Sequence, residues 1–187
     1  FNHNYGIWFR NILKKVGLPY HRIIAYASLK KLEPASHHVH CDSDNNYGKG
    51  HDVICRYLIP LSDGPPTCYF DKCMEDNQFY TRFGKNDFSV VGENNKPINL
   101  NITHLYDLKT NDKIEIDDNV TNYENISHIG YNSLKGLNVH VVGDWSPGTI
   151  HLFPCNVLHS STDIDMGNNE KIKWMLNGVL YDSRIKK

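Results

Sequence analysis

Two short motifs far apart in the chain constrain its fold more than any other feature. They are His40-Cys41-Asp42 and the final histidine of Gly148-Thr-Ile-His-Leu-Phe-Pro-Cys-Asn-Val-Leu-His159. The period of two along an extended chain puts His40 and Asp42 on one face of a strand. His159 ends another apolar β segment. Two imidazoles and one carboxylate on one side of a metal ion make a three-ligand site with positions left open. For the set to converge, strands near residues 40 and 159 must return to the same end of one β structure.

Composition fits a single domain over 1–187. The chain has 187 residues, 40% hydrophobic and 22% charged, enough for one sizeable core. Its net charge of −1 supplies no field for nucleic acid or anionic lipid, so neither partner is expected. No 18-residue apolar run exists, so no membrane span is expected. The opening Phe1-Asn-His-Asn has no Met and no signal-like segment, which reads as a trimmed N-terminus. The five cysteines (41, 55, 68, 73, 155) are odd in number and form no CxxC pair. Reduced thiols in the cytoplasm are the expectation.

Apolar residues at 7, 8, 9, 12, 13 and 16 have helical spacing, and Gly17 is a stop signal. Strands are expected at 22–29, 37–42, 52–61, 67–70, 137–142, 149–153 and 172–181. Between about 72 and 135 the pattern weakens. Weak strands are read at 88–91 and 113–116, with a helical or irregular stretch near 120–135. Its length marks this region as an insertion or lid, and its aromatics include Phe79, Phe83, Phe88 and Tyr106. Short strands with a helical start predict a barrel or sandwich with one flanking helix.

An HxD triplet alone is common. Here two further histidines, His37 and His38, precede it, and a β run follows it. His38-Val39-His40 lacks a carboxylate, and Asp42-Ser43-Asp44 lacks an imidazole. His151 sits mid-strand and reads as packed behind the ligands. His51, His104, His128 and His140 carry no spacing signal.

Further pieces follow in order: Cys55-Arg-Tyr57-Leu58-Ile59, Gly64-Pro-Pro-Thr67, Trp145-Ser-Pro-Gly148, Ile150-His-Leu-Phe153 and Lys171-Ile-Lys173-Trp-Met-Leu-Asn-Gly. Together with the two motifs they resemble the Fe(II)- and 2-oxoglutarate-dependent oxygenases, in the prolyl-4-hydroxylase-like and phytanoyl-hydroxylase-like branches. The resemblance runs from about Ile24 to Tyr181 and leaves 72–135 unmatched. Two departures stand out: Ile59 replaces the family's Asn, and the basic residue lies further past His159 than usual.

The resemblance implies a mainly β fold, a double-stranded β-helix (a jelly-roll or cupin-like barrel) with an N-terminal flanking helix. It implies that His40, Asp42 and His159 are the catalytic iron ligands. It also implies that 2-oxoglutarate chelates the iron and keeps its far carboxylate on a buried cation. Lys173 is favoured for that cation because Lys173-Trp174 resembles the family's Lys-Trp, and Lys171 is the alternative. Tyr57 and Tyr26 are implied as further hydroxyl donors to the same carboxylate. Oxygen completes the set, and the products are succinate, CO2 and a hydroxylated small molecule or peptide side chain. The family's halogenases carry a small residue where Asp42 stands, so hydroxylation is the implied outcome. Two other classes stay open: a non-redox cupin-like metal enzyme, and a barrel that binds metal or ligand without turnover.

Overall fold

The computed structural model describes residues 3–18, 23–32, 38–42, 51–91, 96–120, 126, 128–162 and 173–185. Helix α1 spans His3–Lys15, and its end is set by Gly17, whose φ of +76° suits glycine. The Leu18 amide donates back to the Leu13 carbonyl at 2.9 Å, closing the last turn. Phe9 and Leu13 then pack on Cys55, Tyr57 and Leu180.

The strands that carry the site are β1 (Ile23–Leu32), β2 (Val39–His40), β3 (His51–Pro60) and β4 (Thr67–Cys73). There follow β5 (Tyr80–Arg82), β6 (Asp87–Val91), β7 (Pro97–Asn101), β8 (His104–Asp107) and β9 (Lys113–Glu115). A single helical turn, α2 (Tyr131–Leu134), precedes β10 (Val139–Gly143), β11 (His151–Phe153), β12 (Val157–Ser161) and β13 (Lys173–Ile185). The fold is mainly β, and its paired strands run antiparallel.

They form two sheets. The smaller has the order β1-β13-β3-β11, and the larger β7-β6-β5-β2-β12-β4-β8-β9 with β10 also on β4. Alternation along the central strands buries both faces of the large sheet. Tyr69 and Val157 point one way and join Leu58, Phe153, Trp145 and Met175. Cys68, Phe70 and Leu158 point the other way, with Val39 and Cys41, into a separate core. That second core is completed by Phe88, Leu105, Ile126 and Leu134. Most buried side chains of 72–135 therefore lie behind the large sheet, and Phe79 is the part that reaches the site described below.

The expected strands at 88–91 and 113–116 are present, joined by β5, β7 and β8, which the pattern did not disclose. β7 and β9 are almost wholly exposed, so no alternation marks them. The expected His-rich strand at 37–42 shrinks to Val39–His40 among the described residues. His159 does not end the strand 149–153. A turn at Pro154, closed by the Val157 amide on the Pro154 carbonyl at 3.2 Å, separates β11 in the small sheet from β12 in the large one.

Candidate metal centre

His40 and His159 face each other across the β2–β12 ladder as direct register partners. Their ring centroids lie 4.4 Å apart. Asp42 follows two residues after His40, with its amide held by the Cys155 carbonyl at 3.0 Å. The potential ligand atoms of His40, Asp42 and His159 all lie within 4.8 Å of one another. Cys41, between the two β2-side ligands, faces the other core and donates its thiol to the Gln78 carbonyl. Burial pushes that thiol up to about 12, so it stays protonated.

Both imidazoles are set up in one tautomer. His40 Nδ1 donates to the His38 carbonyl at 2.8 Å, and His159 Nδ1 to the Val157 carbonyl at 3.1 Å. A carbonyl accepts only, so each Nδ1 carries the proton and each Nε2 keeps its lone pair for a metal. Burial, with the neighbouring His159, pushes His40 down to about 4. Burial lowers His159 as well, so both rings are neutral at physiological pH. The 3.7 Å approach of His159 Nε2 to Asp42 Oδ2 is therefore two electron-pair donors side by side, not an ion pair.

Asp42 is held as the anion. Burial raises its pKa, but His159, Arg56 and His40 outweigh that and keep it below the usual carboxylate range. Arg56, on β3 of the opposite sheet, sets its Nε 3.1 Å from Asp42 Oδ2 as an ion pair without full hydrogen-bond alignment.

Aromatic rings fix His159. Tyr69 stacks on it at 5.7 Å and 29°, and Phe153 meets it edge-on at 5.0 Å. Tyr69 donates its hydroxyl to His151 Nδ1 at 2.8 Å, and His151 Nε2 donates to the Asp144 carbonyl at 2.8 Å. His151 is thus a packed residue one step removed from the ligands. Gly143 makes room for this pair: a Cβ there would lie 2.6 Å from His151 Cε1.

A cavity of about 140 Å³ opens on the three ligands, lined also by Lys30, Leu58, Phe79, Trp145 and Asn177. Larger cavities of about 320 and 380 Å³ lie elsewhere and contain none of the three ligands.

Of the other expected site residues, Tyr57 alone has a described side chain. Tyr57 is not beside the cluster. One residue along from Arg56, it faces the opposite side of β3 and stacks on Phe9 of α1 at 5.3 Å. Ile59 shares that face, so the departure from Asn lies away from the cavity. Tyr26 is the register partner of Val179, and Lys173 that of Leu32. Their side chains, and all of Lys171 and His37, lie outside the described residues. Arg56, Lys30 and Asn177 are the polar residues that sequence reasoning missed. An arginine inside the apolar run Val53–Leu61 was the available signal for Arg56. Lys30 and Asn177 carried none, because their meeting depends on strand register.

Comparison with family models, with curated proteins and with solved structures returns no match. Among the described residues no helix is long and apolar enough to cross a membrane, and all five cysteines are free and buried.

Proposed function

We propose that the chain is a non-heme Fe(II)- and 2-oxoglutarate-dependent oxygenase, hydroxylating a small molecule or peptide side chain with release of succinate and CO2. The observation that carries this reading is the His40–Asp42–His159 cluster, whose potential ligand atoms all lie within 4.8 Å of one another, with each Nδ1 turned to a backbone carbonyl. Two neutral imidazoles and one hard carboxylate suit divalent iron and leave open positions opposite.

The winding adds support. Setting β5–β9 aside, eight strands remain, and the order β1-β13-β3-β11 faces β2-β12-β4-β10. The chain crosses between sheets as a jelly roll requires, which supports a double-stranded β-helix with β5–β9 inserted between its fourth and fifth strands. The small cavity favours a small group at the metal over a duplex. Buried free thiols favour a reducing compartment, and we place the protein in the cytoplasm on that ground.

Bound iron would supply the coupled oxidation of the 2-oxo acid and of a substrate C–H bond. The chain's own residues do the rest. His40 and His159 present Nε2, held in orientation by their carbonyl partners. Arg56, 3.1 Å away, helps to keep Asp42 anionic. Trp145, Leu58 and Phe79 give the cavity an apolar wall.

The test is anaerobic addition of Fe(II) and then 2-oxoglutarate, followed by admission of air. The expected result is a weak visible charge-transfer band, then succinate. Zinc-supported turnover without oxygen would point instead to a cupin-like non-redox enzyme. Tight metal binding without succinate would point to a binding barrel.

A further inference from the structure

The cavity carries an excess of positive charge. Arg56 is matched by Asp42 at 3.1 Å. Lys30 also lines the cavity, and among the described residues no carboxylate lies within ion-pair distance of it. Burial, and then the Arg56 guanidinium, lower its pKa. Asn177 lines the same wall. It is 4% exposed, and its Oδ1 has no hydrogen-bond partner among the described residues. A buried amide without a partner is costly, and a ligand group is one way to satisfy it.

Register brings the two together. Ser28 pairs with Asn177 and Lys30 with Met175, so Lys30 and Asn177 are diagonal neighbours on one face of the small sheet. With a divalent metal in place, Lys30, Arg56, Asp42 and the ion sum to three positive charges. A dianion leaves one, and a monoanion leaves two. That difference in charge favours the dianion.

We propose that Lys30 and Asn177 select the ligand beside the metal, Lys30 holding the far carboxylate of a small dicarboxylic acid and Asn177 hydrogen-bonding its chain. This rests on the metal- and 2-oxo-acid-dependent reading of the site. It places the anion anchor on Lys30 of the first strand, not on Lys173 or Lys171.

The experiment titrates the Mn(II)-loaded protein calorimetrically with 2-oxoglutarate and succinate (dianions) and with 2-oxobutyrate (a monoanion). Variants are Lys30→Met, Lys30→Arg, Asn177→Leu and Lys173→Met, with Mn(II) affinity as the check on folding. In Lys30→Met, dianion affinity falls by roughly tenfold or more while 2-oxobutyrate and Mn(II) affinities hold, the loss of one charge-assisted contact. Lys30→Arg recovers part of the loss, and Asn177→Leu weakens both acid classes. If succinate binding depends on Lys30 but Fe(II) and 2-oxoglutarate give no charge-transfer band, the oxygenase reading fails and the anchor stands. The assignment is overturned if the unaltered protein binds no dianion, or if Lys173→Met loses the dianion preference while Lys30→Met keeps it.

Discussion

At the scale of single residues, the site has three ligands and no spare one among the described residues. His40→Ala, Asp42→Ala and His159→Ala are each expected to abolish succinate formation and to weaken metal binding. His151→Ala keeps the metal, because His151 stands outside the three-ligand cluster and hydrogen-bonds Tyr69 and the Asp144 carbonyl. The check is metal affinity of all four variants, and an inactive His151→Ala beside an active His159→Ala would reverse the choice of distal ligand. Arg56→Met leaves a buried carboxylate without its cation, at a cost of about 3 kcal/mol in the metal-free protein by urea unfolding at pH 7. Acid acts on the same cluster. His40 is depressed to about 4 in the fold, so between roughly pH 6.5 and pH 4 the unfolded chain binds the proton that the folded one refuses. The depressed Asp42 adds stability that is lost at still lower pH. Stability of the metal-free protein is therefore expected to fall as pH drops through that window, and urea midpoints at several pH values check it. The ligands were legible in sequence because donor chemistry and a spacing of two are written in the residues themselves. Tyr57 was misplaced by one step of strand parity, since its neighbour Arg56 takes the face that looks into the cavity. Lys30 and Asn177 were invisible because they meet only through the β1–β13 register.

At the scale of elements, the strands with alternating or continuous apolar runs were readable, and the exposed short ones were not. β3, β4 and β13 announce themselves, whereas β7 and β9 have almost no buried side chain to mark their period. The switch of sheet at Pro154 was equally hidden, because a single apolar run reads as a single strand. What 72–135 does follows from its buried residues. β5 pairs with β2, with Thr81 opposite His40, so the added strands brace a ligand directly. Phe88 is 1% exposed in the core behind that sheet. Phe88→Ala is expected to cost roughly 3–5 kcal/mol and to weaken metal binding through β2, measured by urea unfolding and metal titration. A stable variant with unchanged affinity would mean that the segment is only an appendage.

At the scale of the whole molecule, the ligands and their supports come from both sheets. His40, Asp42 and His159 belong to the large-sheet side, while Arg56 comes from the small sheet. A metal that binds only the folded state should raise the thermal midpoint with concentration, by an increment worth about 2.7 kcal/mol at a hundredfold excess over its dissociation constant. A chelator should return the midpoint to the metal-free value, which a thermal melt with and without EDTA reads. The donors gathered at the cluster also bear on which ions the site can discriminate. Of the three donors, two are imidazole nitrogens and one is a carboxylate. Calcium, which collects six to eight oxygens and often both from one carboxylate, finds a poor host here. Ions content with few donors and at home with imidazole nitrogen find a good one. The donor set is thus a filter against the hard, oxygen-loving cations, set in place before any ion arrives.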